Sequence, residues 1–344
     1  MQDMNDAARF ARKLSVLADL GLERVEVSPV KTAATRVDRR TFKVTCARPA
    51  MGTFISITAL HRSRELAENA IGRAFEEMDG RIALFNRFDG ASAVCDLNRQ
   101  GRLHDAPPEV SRVVGRALHY HRLSHGAFDV TVKPLVDLFG ASVAGPCENE
   151  VAEALELVGS RHVELSPHAI RFRRKGMSIT LDGIAKGFIV DKVAEQLTRS
   201  GLECYLINAG GDVRTAGTKE GGQSWAVAVQ DPEKEGDFPD IVQMRDAAVA
   251  TSGSYEIYFD HERMYHHIVN SRTGASPGLS KSASVIASTA MAADALATSI
   301  FIMNPQDGVR FISAIPQCEC LIIDNRGGRW KSRGWIAGSV GGER

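Results

Sequence analysis

Asp294 and Thr298 stand four residues apart in the small-residue run Met291-Ala-Ala-Asp-Ala-Leu-Ala-Thr-Ser-Ile300. On a helix this spacing puts a carboxylate and a hydroxyl on one face, a turn apart. Completed by carbonyls or waters, such a pair suits magnesium, which takes oxygen ligands and shares them with substrate phosphates. A buried Asp bonding locally on a small-residue helix accounts for the same pair. Ile179-Thr-Leu-Asp-Gly-Ile-Ala-Lys-Gly187 sets a strand, a glycine turn and a helix in order. That arrangement lets backbone N–H groups and Lys186 approach a phosphate. It is not a Walker A loop, because the glycine spacing and the Ser/Thr after the lysine are missing. A plain strand-to-helix turn with Asp182 as N-cap is the competing reading.

Three further stretches carry usable chemistry. His267-Ile-Val-Asn-Ser-Arg-Thr-Gly274 offers a histidine suited to general-base work and an arginine able to hold a phosphate or carboxylate. It reads equally as a solvated hairpin tip. His261, His266 and His267 suggest a metal, but a hard cation prefers the oxygens near Asp294. Asn208-Ala-Gly-Gly-Asp-Val-Arg214 puts glycines after a strand, where a backbone approaches a ligand closely, yet it lacks the GxGxxG spacing of a dinucleotide fold. Gly126-Ala-Phe-Asp-Val-Thr131 sets a carboxylate beside an aromatic ring.

The elements that must hold these residues mix helices and strands without strict alternation. Strands are expected at Phe42 to Cys46 and Met51 to Leu60, then an amphipathic helix over Glu65 to Ala83. Asp89 to Gly101 reads as a loop, Pro108 to His121 as a helix, and Gly126 to Pro134 as extended. Val151 to Leu157 reads as helical, with short strands at 163–165, 169–172 and 178–181. Ala185 to Ser200 is a helix stopped by Gly201, and 205–208 is a strand entering a glycine turn. Strands follow at 225–229, 247–252 and 282–287, with 255–259 pairing 265–269. A helix from about Ala290 to Met303 and a strand at 321–324 close the pattern. The result is an α+β fold, with mixed or antiparallel sheets, packed helices and a larger domain plus a smaller subdomain. Residues 1–40 read as an N-terminal extension with a helix over Asp3 to Leu20. Residues 41–330 form the main domain and 331–344 a frayed, Gly-rich tail.

Forty-two basic and 42 acidic side chains cancel, so nothing in the balance argues for nucleic acid or an anionic membrane as main partner. With 44% apolar residues in 344, a sizeable core is available. The six cysteines form no CxxC pair, and Cys318 and Cys320 fall on one face of an apolar strand, so free buried thiols are expected. No run of about eighteen apolar residues is present, so no membrane-spanning helix is expected. The absence of a signal-peptide pattern makes the cytoplasm the expected compartment.

Taken in order, these stretches resemble the ApbE family of FAD:protein FMN transferases. The resemblance runs through Ala50-Met-Gly-Thr53, Ser124 to Pro134, Leu181 to Gly187 with Asp191, and Ile207 to Asp212. It continues through Ala248 to Gly253, His267 to Gly274 and Ala293 to Thr298, and so covers roughly residues 42 to 325. It implies a fold of that family's type and magnesium held by Asp294, Thr298 and the backbone oxygen of Gly183. It also implies flavin or adenine contacts from Met51, Phe88, Ala127, Phe128, Asp129, Thr180, Lys186 and Ile268. His267 would activate an acceptor hydroxyl, a Ser or Thr of a flavoprotein subunit. FAD would be the substrate and AMP the leaving product. An FAD pyrophosphatase and a non-catalytic flavin-binding assembly factor are the alternatives. This chain departs from the family's common pattern by carrying Thr180 for an Asp and Asn270-Ser271 for Asp-Pro. It also shows no lipid-anchor cysteine.

Overall fold

A computed structural model of the protein describes residues 31–141, 145–229, 240–253 and 268–335. In chain order, β1 (Lys31–Arg36), β2 (Phe42–Ala50) and β3 (Thr53–His61) precede α1 (Arg64–Phe85) and α2 (Ala93–Gln100). Then come β4 (Arg102–His104), α3 (Pro108–Leu123), a 3-10 turn at Val130–Val132, α4 (Lys133–Ala141) and α5 (Glu148–Leu155). Next are β5 (Val163–Leu165), β6 (Ala169–Phe172), α6 (Ala185–Arg199), β7 (Cys204–Ala209) and β8 (Asp212–Ala216). β9 (Trp225–Ala228), β10 (Ile241–Met244), β11 (Ala248–Gly253) and β12 (Ser280–Ala287) lead to α7 (Ala290–Ile302) and α8 (Pro305–Ser313). β13 (Glu319–Asp324) and β14 (Arg329–Lys331) end the described chain.

Nine strands form one sheet in the order β1-β2-β3-β7-β8-β11-β12-β13-β14, every neighbouring pair antiparallel. Because side chains alternate across a strand, the sheet has two faces to cover. One face, with Val44, Ile55, Ile57, Ile207, Val285 and Ile322, packs under α1, α6 and α7 in the main core. The other face, with Val213, Val249, Leu321 and Ile323, is covered by the β9–β10 pair through Val227, Val242 and Met244. A separate three-stranded sheet, β4-β6-β5, packs against α2 and α3. The α+β class with antiparallel sheets stands as read from the sequence. The cysteines are free, with Cys318 and Cys320 buried on β13 and just before it.

α7 is apolar nearly all round, as a helix sandwiched between other elements must be. Its small side chains let α6 approach closely. A Cβ at Gly187 would stand 2.4 Å from the backbone oxygen of Ala290, so only glycine fits that crossing.

Local signals misled the sequence reading in three places. Asp89 to Gly101 is not all loop: Ser92 accepts a hydrogen bond from Cys95 N as N-cap, and Gly101 ends α2 in the left-handed region. Gly126 to Pro134 is not extended to its end. Asp129 caps the 3-10 turn, and Pro134 sits in the first turn of α4, where a missing N–H costs nothing. Ser178 to Leu181 joins no ladder. Ile179 instead donates to Asn98 Oδ1 (2.8 Å) and accepts from Asn98 Nδ2 (2.9 Å), while Thr180 N donates to Val130 O (2.8 Å). β1, β4, β8, β10, β14, α4 and α8 were not anticipated. Of the expected elements, the helix over 3–20 lies outside the described residues, as do 255–259 and most of its partner 265–269.

Candidate active site

Two hairpin tips and two helix starts meet at one end of the large sheet. β2 and β3 pair up to Ala50 and Thr53, leaving a two-residue loop, Met51-Gly52, with φ of 50° and 69°. That is the primed turn a tight hairpin needs, and it holds Met51 in a conformation side chains rarely adopt. β7 and β8 close the same way at Gly210-Gly211. β3 pairs with β7, so the tips are neighbours; a Cβ on Gly210 would fall 2.1 Å from Thr53 Oγ1. Asp212 follows this second tip, buried, with its Oδ1 3.3 Å from Lys186 Nζ in the first turn of α6.

The starts of α6 and α7 are held by each other's carboxylates. Asp294 Oδ2 accepts from Gly187 N (3.1 Å), while Asp191 accepts from Ala290 N (2.9 Å) and Met291 N (3.0 Å). Each aspartate therefore satisfies amides of the partner helix that have no intrahelical acceptor, and each meets the positive end of that helix. Arg214 Nη1 lies 3.2 Å from Asp191 and donates to Ser288 O (2.5 Å). Burial pushes the Asp191 carboxyl up, against the amide hydrogen bonds and Arg214.

Phe128, Asp129, Thr180, Gly183, Lys186, Ile268, Asp294 and Thr298 line a single cleft at this junction. Asp294 and Thr298 share the cleft-facing side of α7, as their spacing required. Thr298 Oγ1 lies 3.2 Å from Ser252 Oγ on β11, and a Cβ at Gly183 would sit 2.9 Å from Thr298 Oγ1. Met51, Phe88 and Ala127 do not line the cleft. Phe88 is 82% exposed, with the Arg87 guanidinium 4.5 Å from its ring centroid; Arg87 Nε in turn pairs with Asp182 Oδ2 at 3.0 Å, and Asp182 does line the cleft. Asp182 is thus an ion-pair partner and not the N-cap of α6, which is Ile184. His267 lies outside the described residues; its neighbour Ile268 is buried in the cleft wall.

Two residues do something other than their sequence context suggested. The Asp129 carboxylate accepts from Thr131 Oγ1 (2.5 Å), Thr131 N (2.9 Å), Ser160 Oγ (2.7 Å) and Ser160 N (3.2 Å), and His121 Nδ1 lies 3.2 Å away. Burial raises its pKa, but the bonds from His121, Thr131 and Ser160 outweigh that and hold it below the usual carboxylate range. The Asp129 hydrogen bond raises His121 above the ordinary imidazole value, against burial. Asp129 therefore braces the cleft wall. Arg272 donates to the carbonyl of His125, and Ser271 Oγ to Gly126 O (2.8 Å). The Asn-Ser-Arg segment straps down the turn before Phe128 rather than presenting an anion clamp.

The sequence reading gave no site role to Asp182, Asp212, Thr251 or Ser252. Asp212 was visible in the glycine turn and Ser252 in the Ala248 to Gly253 stretch. Among the described residues no three His, Cys, Asp or Glu side chains cluster as a metal site, so a cation placed among them would rest largely on neutral oxygens. The hydroxyls of Thr298 and Ser252, the near backbone of Gly183 and Asp294 make a hard-oxygen set of that kind, which fits magnesium. No helix among the described residues is long and apolar enough to cross a membrane.

The frame is that of the flavin transferases. The flavin transferase ApbE from Vibrio cholerae superposes with a TM-score of 0.73 at 25% identity, covering 89% of this chain and 98% of that one. The ApbE protein of Thermotoga maritima gives 0.77 at 28% identity, over 88% and 97%. The sequence profile of the ApbE family matches residues 51–322, and the chain belongs to that family. A Treponema pallidum relative named FAD:protein FMN transferase is 32% identical over 263 residues, 69% of this chain and 72% of its own. One of the same name from Vibrio cholerae is 27% identical over 278 residues, 77% and 83% of the two chains. Like them, the protein is an enzyme of the transferase class.

Proposed function

We propose that the protein splits FAD at its pyrophosphate and passes the FMN half to a Ser or Thr hydroxyl of an acceptor flavoprotein. Residues 41–330 would be the catalytic unit. The acceptor oxygen attacks the FMN-side phosphorus, the bond to the bridging oxygen breaks, and AMP leaves with that oxygen. His267 takes the hydroxyl proton. Catalysis of this kind is mostly positioning and charge neutralisation. Lys186, held near Asp212 in the first turn of α6, meets the negative charge of the pyrophosphate. Magnesium held by Asp294, Thr298 and the Gly183 oxygen would add charge neutralisation at the phosphates. Phe128, Thr180 and Ile268 offer walls for the flavin or adenine, and exposed Phe88 offers a stacking face at the rim.

The observation that carries the reading is convergence. Lys186 and Gly183 come from one segment and Asp294 and Thr298 from another more than a hundred residues on, and all four line one cleft. The test is to incubate the protein with FAD, magnesium and a candidate acceptor, and to look for an acceptor mass gain equal to one FMN. AMP release without a modified acceptor would replace transfer by hydrolysis. No AMP release would reject both and leave a flavin-binding assembly role.

A further inference from the structure

Beside the cleft the surface is strongly cationic, although the chain as a whole is electrically balanced. Arg102, Arg161, Arg171, Arg173, Arg174 and Lys175 are all exposed, on or next to the β4-β6-β5 sheet. Strand register sets Arg102 directly opposite Arg171, an arrangement of like charges that costs stability. Glu164 answers two of these guanidiniums alone, Arg171 at 3.0 Å and Arg173 at 2.8 Å. Among the described residues Arg102, Arg161, Arg174 and Lys175 make no ion pair. Desolvation and the fields of Arg174, Arg161 and Arg173 lower the pKa of His162, so these three guanidiniums converge on it.

Two tethers fix this surface next to the cleft. Arg161 follows Ser160, whose N and Oγ both bond the cleft residue Asp129. Lys175 is five residues before Thr180, which lines the cleft; five residues span at most about 18 Å.

We propose that this cationic surface docks an acidic segment of the acceptor protein, flanking the residue whose hydroxyl enters the cleft. The inference rests on the transfer reading above. Guanidiniums without counterions suit carboxylates, which they grip with paired hydrogen bonds. A single-stranded nucleic acid would want aromatic platforms for its bases, and an anionic membrane an apolar wedge. Among the described residues the exposed large apolar side chain on this sheet is Leu165; of the exposed aromatics, Phe88 belongs to the cleft rim and Trp330 to β14, and neither stands on the sheet. Docking by charge would also speed encounter with the acceptor.

The test is fluorescence anisotropy of the full chain with a labelled glutamate-rich peptide. Its glutamine analogue, a single-stranded oligonucleotide of matched charge and anionic phosphatidylglycerol vesicles serve as comparisons. The glutamate peptide should bind more tightly than all three and be released by high salt. The combined Arg102→Ser, Arg161→Ser and Lys175→Ser variant removes charges that hold no ion pair, and should weaken peptide binding about tenfold at low salt. Equal binding of the glutamine analogue, an unaffected variant, or tighter capture of the oligonucleotide or vesicles overturns the proposal. The salt titration of the unaltered protein decides the matter even where the variant folds poorly. The assay contains no FAD, so failure of flavin transfer would show separately.

Discussion

Replacing Gly187 by alanine sets two principles against each other. Helix propensity alone favours the change, by about 1 kcal/mol. The crossing of α6 and α7 opposes it. The new Cβ would stand 2.4 Å from Ala290 O, 2.6 Å from Ala290 C and 2.8 Å from Met291 Cα, all backbone atoms that cannot swing aside. Ordinary contact begins near 3.4 Å, so the helices must part by roughly an ångström, at a cost of about 1–3 kcal/mol for overpacking. The same movement stretches the 3.1 Å bond from Gly187 N to Asp294 beyond hydrogen-bonding reach. A hydrogen bond to a charged group is worth about 1.5–3 kcal/mol. The net expectation is a loss of about 2–5 kcal/mol, read as a urea midpoint lower by the order of 1 M. Magnesium-dependent AMP release should fall with it, because Asp294 and Thr298 move with α7. A midpoint equal to or above that of the unaltered protein would refute the packing argument and leave propensity in charge.

Three further outcomes follow from the same geometry. On the proposed mechanism Asp294→Ala should abolish magnesium-dependent AMP release from FAD; unchanged turnover would reject Asp294 as the proposed magnesium ligand. The His121–Asp129 pair has a signed pH dependence: His121 is raised, so its contribution is full below about 6.5 and fades as pH climbs through its folded value. Asp129 is lowered, so its share is present above about 3.9 and is lost as pH falls through its folded value. Urea midpoints of His121→Gln should accordingly be flatter than those of the unaltered protein between about pH 6 and pH 9; parallel curves would dismiss the pair. Burial pushes the Cys320 thiol up to about 11, whereas Cys147 is exposed. A thiol reagent at neutral pH should therefore label Cys147 in the folded protein and reach Cys320 only after unfolding, as peptide mapping would show.

The parts of the site that lie within one element were legible in the sequence. Asp294 and Thr298 had to share a face once the helix was granted, and Lys186 had to stand at the start of α6 after its glycine turn. What joins these pieces was hidden, because the bonds run between distant segments: Gly187 to Asp294, Asp191 to Ala290, Asn98 to Ile179. Nothing in the local pattern of Ser178 to Leu181 distinguishes a ladder strand from an extended stretch clasped by an asparagine. Asp129 was visible as a carboxylate beside an aromatic, yet its role depends on Ser160, thirty-one positions away. β1 escaped notice because Lys31–Arg36 is a mostly exposed edge strand with no apolar alternation to mark it. α2 was masked by polar residues, although its Ser92 cap and Gly101 stop were both in view.

The mutual capping of α6 and α7 also has a consequence for how the chain is made. When α6 leaves the ribosome, the carboxylate that receives Gly187 N has not been synthesised, and 107 residues separate the two. At ordinary translation rates of about 5–20 residues per second, α6 waits roughly 5–20 s for its partner. During that interval Lys186 and Asp191 can meet Asp212 and Arg214, but the α7 amides that Asp191 receives do not yet exist. If the cleft works as proposed, the nascent protein stays catalytically silent until its last sixth emerges, and a chain broken off before residue 290 would carry most of the sheet without Asp294 and Thr298.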